Sequence, residues 1–147
     1  MSARAAAAAR GWIGTPYMHQ AARRGVGADC LGLIRGVWEE VMGGVPEELP
    51  PYTADWAEPA GQEVLMEAAA RHLARRAPDD PGETGDVLLF RMRERGIAKH
   101  LGIVGDTGPR PTFVHAYSRH AVVESALTAP WARRVAARYA WPPVLGG

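Results

Sequence analysis

The sequence predicts an α+β domain, with helices gathered in the N-terminal half and an antiparallel sheet built from the C-terminal half. Two observations carry this. As far as Leu73, apolar residues recur at helical spacings of three and four. From Val87 onward they come in short runs of strand length, separated by turn residues. A chain of 147 residues suits one hydrophobic core, so residues 1–147 read as a single domain.

The elements follow in order. Residues 2–10 form a short Ala/Arg helix. Gly14-Thr15-Pro16-Tyr17 ends it and opens an extended polar stretch, in which Gly25 and Gly27 keep the approach to Asp29 flexible. From Leu31 the pattern turns helical through Ile34, Trp38 and Val41, and Gly43-Gly44 stops it. A proline-rich loop runs from Pro46 to Pro59 and carries Tyr52 and Trp56; it either lines a groove or covers the helices, and is a candidate lid. A further helix over about 62–76 aligns Leu65, Ala69 and Leu73 and ends before Pro78. Strands are expected at Val87–Phe90, Ile97–Val104, Phe113–Tyr117, Ala121–Glu124 and Val135–Trp141, with a polar turn at Arg93–Gly96 and a loop at Gly105–Pro109.

Composition narrows the function. Seventeen basic and sixteen acidic side chains leave a formal charge of +1, so no field of one sign exists to hold nucleic acid or an anionic membrane. Lys99 is the one lysine, a bias that fits a GC-rich genome better than a binding surface. The single cysteine excludes an internal disulfide and a multi-thiolate zinc site. Ala5 to Ala9 is too short for a signal-peptide core, and no uncharged apolar stretch is long enough to span a bilayer. The expectation is a protein made in the cytoplasm and kept there unless something else carries or releases it.

Three residues draw attention as a site. Cys30 follows Asp29, a good N-cap, where the helical pattern begins. It is either a small apolar residue at a helix start or a nucleophile, since free N–H groups and the helix dipole favour a thiolate there. His100 alternates with Ala98, Gly102 and Val104 on one strand face, as a hydrogen-bonded filler or as a base. A symmetric turn centred between Thr107 and Gly108 sets His115 directly opposite His100. Two facing imidazoles suit a base and the group that fixes its tautomer better than they suit a structural core.

The remaining polar residues add less. His100, His115 and His120 could be assembled around a metal, but no familiar ligand spacing is present and His120 falls on the opposite strand face from His115. No metal and no cofactor are expected. Tyr17 either packs or points its hydroxyl into the site. His19 and His72 have no assigned role.

At this point the motifs resemble a known family. Gly14-Thr15-Pro16-Tyr17, Asp29-Cys30-Leu31-Gly32-Leu33, Gly85-Asp86-Val87, His100-Leu101-Gly102-Ile103-Val104 and Val114-His115-Ala116 are similar, in order and spacing, to the NlpC-type cell-wall peptidases. The resemblance runs from about Trp12 to Glu124, and its specificity lies in five motifs in order. It implies a reduced papain-like fold, with the cysteine at a helix N-terminus packed on an antiparallel sheet. It implies Cys30 as nucleophile, His100 as base and His115 as the third polar residue. Tyr17 and Asp29 would then flank the oxyanion and substrate pocket. The implied substrate is the peptide stem of peptidoglycan, often cut between D-glutamate and a diamino acid.

One departure stands out: the family commonly has Ser after the cysteine, and this chain has Leu31. The Asp-Cys-Leu-Gly-Leu form, the short chain and the lack of a signal or anchoring segment resemble the branch encoded by tailed phages and gene transfer agents. In that setting the protein would join a tail or baseplate and open the wall during delivery. The rival readings are a structural tail component without turnover, and an acyltransferase or amidase on the same fold.

Overall fold

The computed structural model describes residues 2–44, 64–93, 96–117 and 120–143. The Pro46–Pro59 loop with Tyr52 and Trp56, and the first residues of the helix expected over 62–76, lie outside them. Within them the α+β expectation holds: four helices and a six-stranded antiparallel sheet.

Helix α1 (Ser2–Arg10) is an alanine run, the strongest helix former. Its value is smallness as well, because Ala5, Ala6 and Ala9 are buried and let α1 lie close to the next helix. Helix α2 (Cys30–Met42) buries Leu33, Ile34, Val37 and Val41 and stops at Gly43, whose φ of 79° is the left-handed conformation glycine adopts freely. Trp12 lies over Gly36 of α2, where any Cβ would collide with the indole, and its Nε1 donates to Glu40 at 2.9 Å.

Between these helices two short strands, β1 (Ala22–Arg23) and β2 (Gly27–Ala28), pair antiparallel. Neither was expected, because two-residue strands carry no alternation to read. Helix α3 spans Val64–His72 within the described residues, shorter at its C-terminal end than the pattern suggested. Ala74–Arg75 instead forms strand β3, paired with Ala140 and Tyr139 of the last strand. The Arg76 guanidinium explains part of this turn. It holds the buried Asp86 carboxylate through two nitrogens, at 2.7 and 3.0 Å, which pulls the chain out of the helix and onto the sheet.

The remaining strands are β4 (Val87–Arg91), β5 (Ala98–Val104), β6 (Thr112–Ala116), β7 (Val122–Ala126) and β8 (Val135–Ala140), in the order β3-β8-β4-β5-β6-β7. Their ends differ from the sequence expectations by one or two residues. A fourth helix, α4 (Ala129–Ala132), was not expected. Its start carries Thr128 and Pro130, ordinary helix-opening residues.

The sheet is covered on both sides. Val87, Leu89, Leu101, Ile103, Val114 and Ala116 join the helices in the main core. Leu88, Phe90, Val104 and Phe113 form a second cluster with Trp131 of α4. Two-sided burial is why β4 reads as an unbroken apolar run.

The hairpin of β5 and β6 has a different register from the symmetric one. Ile103 pairs with Val114 and Val104 with Phe113, a slip of two residues. Thr112 is engaged by both Gly105 and Asp106, whose N–H groups donate to its carbonyl and its hydroxyl, so the loop closes unevenly. Since strand side chains alternate with a period of two, this slip leaves His100 and His115 on one face. They meet diagonally, and Gly102 takes the place beside His115: a Cβ on it would lie 3.5 Å from that of His115.

Candidate active site

Cys30 stands where the sequence placed it, in the first turn of α2. Asp29 caps the helix, its Oδ1 accepting the Gly32 N–H at 2.7 Å, while its Oδ2 accepts the Gln20 N–H at 2.7 Å. The Asp29 carboxylate thus ties the helix start to the loop in front of it. That loop approaches closely because residue 32 has no side chain; a Cβ there would overlap the Ala21 carbonyl. Tyr17 is brought in by the same chain segment. It bridges in parallel to Ala28, with the Ala28 N–H donating to Pro16 at 3.0 Å and the Met18 N–H to Ala28 at 3.1 Å.

The Cys30 thiol donates to the carbonyl of Lys99 at 3.9 Å, on the peptide that leads into His100. Strand β5 is irregular here: the pairing with β4 shifts between Phe90 and Arg91, so Phe90 faces His100 while Arg91 faces Ala98. This bulge breaks the expected alternation, and Ala98 joins the helix-side core instead of sharing the face of His100. Among the described residues no hydrogen bond joins the thiol to either imidazole.

The two histidines are brought together. His100 Nε2 and His115 Nδ1 are 2.8 Å apart, and His115 Nε2 lies 2.9 Å from Ser125 Oγ on β7. Among the described residues, Nδ1 of His100 makes no hydrogen bond. Phe90, Phe113, Tyr117 and Trp131 pack around the pair, with the Trp131 ring centre 5.8 Å from His100 and 5.3 Å from His115. His120 stacks on Tyr117 at 5.5 Å, beyond the end of β6.

Burial governs the charges. Cys30 is 7% exposed, His100 7% and His115 2%. Burial, with the Asp29 charge second, pushes the thiol up to about 12, against the opposing pull of the Leu101, Leu31 and Cys30 amides. At this helix start, desolvation outweighs the amides. Burial also holds both imidazoles below the ordinary histidine range, assisted at His100 by His115 and at His115 by His120. The Tyr17 phenol is raised by burial and then by the Cys30 and Asp29 charges. Each of these shifts favours the uncharged form, a protonated thiol and two neutral imidazoles.

Sequence reasoning missed Ser125, Trp131 and the close approach at Gly32. Ser125 lay one residue past the expected end of its strand, and the Thr128-Ala129-Pro130-Trp131 run was a readable helix start. Among the described residues, no group of three or more histidine, cysteine or carboxylate side chains is placed to hold a metal ion, and no helix is long and apolar enough to cross a membrane.

Known structures resemble this fold. The chain superimposes on the NlpC/p60 domain of the peptidoglycan hydrolase SagA with a TM-score of 0.64 at 19% identity, covering 95% of this chain and 98% of that one. A lipoprotein-like protein of the NLP/P60 family from Staphylococcus aureus matches with a TM-score of 0.62 at 17% identity, over 95% of this chain and 41% of that one. At these identities the likeness establishes the fold, the papain-like one the motifs implied. No curated protein matches in sequence. The model of the NlpC/P60 family matches residues 14–139, from the Gly14-Thr15-Pro16-Tyr17 motif to the last strand, and the chain therefore belongs to the NlpC/P60 family.

Proposed function

We propose that this protein is a cysteine peptidase that hydrolyses the peptide stems of bacterial peptidoglycan, with the D-glutamyl–diamino acid bond as its target. One observation supports the reading most. A histidine couple is bonded at 2.8 Å, with the far nitrogen of His100 making no hydrogen bond, on the strand whose Lys99 carbonyl meets the Cys30 thiol.

The chemistry follows from a neutral resting site. A stem-peptide carbonyl displaces the thiol from Lys99, and His100 Nδ1 takes the thiol proton as Sγ attacks the carbonyl carbon. Charge on the carbonyl oxygen is met by the Cys30 N–H and the Tyr17 hydroxyl, beside the loop that Asp29 fixes. His100 returns the proton to the departing amine, leaving a thioester. It then takes a proton from water, whose oxygen adds to the thioester carbon, and gives that proton to Sγ as the C–S bond breaks, releasing the acid and restoring the thiol. His115 holds His100 throughout by accepting its Nε2–H.

We place the protein in a phage-like tail or gene transfer agent particle, made in the cytoplasm and delivered to the wall with baseplate proteins. The support is the Asp-Cys-Leu-Gly-Leu form at residues 29–33. Co-sedimentation of the tagged chain with purified particles tests this. The peptidase reading is tested by digesting peptidoglycan with the wild type and with Cys30→Ala.

A second reading, a structural tail component that keeps the fold without turnover, is favoured by one observation: the thiol is buried and bonded to the Lys99 carbonyl rather than to His100. The same digestion separates the two.

A further inference from the structure

His100, His115 and Ser125 stand on three neighbouring strands and form one line of hydrogen bonds. The bond between the imidazoles allows two proton arrangements. In one, His100 carries its hydrogen on Nε2 and donates to His115 Nδ1, which obliges His115 to carry its own hydrogen on Nε2, pointing at Ser125. In the other, every hydrogen is moved along by one place, and His100 Nδ1 bears a proton. Only the first leaves His100 Nδ1 with a lone pair for the thiol proton. It has a requirement at the far end: a buried N–H on His115 must find an acceptor, or the arrangement costs the penalty of an unpaired donor.

Ser125 Oγ, 2.9 Å away, can be that acceptor. Its hydroxyl can also donate to a bare His115 Nε2, but that arrangement leaves the His100 Nδ1–H without a partner among the described residues. Its hydroxyl makes no other hydrogen bond among the described residues, so nothing competes for its lone pairs. It is half-buried, and its own hydrogen can turn to water. Its backbone belongs to the β6–β7 ladder opposite Phe113, which fixes the oxygen without help from the side chain. When His100 gains a proton, the positive charge spreads towards His115, and the bond to Ser125 strengthens at that moment.

We propose that Ser125 is a positioning residue which selects the base-competent tautomer of His100 through His115. The inference rests on the peptidase reading for its consequence in catalysis, while the tautomers themselves are observable without turnover.

The test uses the full chain with 15N-labelled histidine, as wild type, Ser125→Ala and Ser125→Thr, read by imidazole NMR and by kcat on peptidoglycan. In the wild type, both His100 and His115 are expected as Nε2–H tautomers. Ser125→Ala brings in the Nδ1–H form of both and lowers kcat about tenfold, a part of the ~10²–10⁴ a general base contributes, with KM within about twofold. Ser125→Thr, which keeps the hydroxyl, retains the wild-type tautomers and most of kcat. Unchanged tautomers in Ser125→Ala, or Nδ1–H forms already in the wild type, would overturn the proposal. A wild type without activity would overturn the peptidase reading alone, and the spectra would still decide the role of Ser125.

Discussion

His100 Nε2 lies 2.8 Å from His115 Nδ1, so one hydrogen is shared between facing nitrogens and the orientation of one ring depends on the other. An asparagine at 115 keeps an amide oxygen that can accept from His100, and an alanine keeps nothing. His115→Ala is therefore expected to lower kcat by about 10²-fold or more, and His115→Asn by about tenfold, within the range of a general base. Steady-state rates on stem peptides, with circular dichroism to confirm folding, check this. Equal losses in two folded variants would remove the orienting role.

The thiol offers a second check. With Cys30 pushed up to about 12 by burial and Asp29, iodoacetamide should label it more slowly than free cysteine near pH 7. Labelling should still be accelerating above pH 10, well past the ordinary cysteine range of about 8.5. A fast reaction at pH 7 that slows in His100→Ala would instead mean a resting ion pair, contrary to the neutral site described above.

Stability should depend on pH in two opposite ways. The two imidazoles are held below the histidine range, so the unfolded chain binds protons first. Their contribution is present above about pH 6.5 and is lost as pH falls from there towards the folded values, by up to about 1.4 kcal/mol per pH unit for each group. Cys30 is raised, so its contribution is present below about pH 8.5 and is lost as pH rises towards its folded value. Urea midpoints should form a plateau between these limits, and Cys30→Ser should flatten the alkaline side. A midpoint unchanged between about pH 4.5 and 6.5 would contradict buried neutral imidazoles.

Gly32 is a structural requirement of the site. Gly32→Ala forces its Cβ into the Ala21 carbonyl, and backbone on both sides leaves little room to yield. The expected cost is about 1–3 kcal/mol, as for other overpacked positions. Activity should fall further than stability, because the displaced segment carries Tyr17 past Ala28. Thermal melts and rates measured together would show whether the two losses separate.

Much of this was legible in the residues, for identifiable reasons. Helix α2 could be read because Leu31, Ile34, Trp38 and Val41 repeat at helical spacing, and Cys30 because an N-cap precedes it. The histidine pair was readable although its register was not. A slip of two along a strand changes the partner and preserves the face, so His100 and His115 still met. What local pattern could not show came from long-range contacts. Arg75 lies in a strand because Arg76 is drawn to Asp86, ten residues on. The Ala98 side chain leaves the His100 face because β5 bulges against β4. The neutral thiol follows from burial by elements far apart in sequence, and the helix start alone suggested the reverse.

The most direct test of the central claim is mass spectrometry of purified peptidoglycan digested with the wild type and with Cys30→Ala. New stem-peptide fragments, with fresh D-glutamyl and diamino acid ends, are predicted in the wild-type digest alone. Identical digests, from wild-type protein shown to be folded, would contradict a cysteine peptidase and leave a structural role.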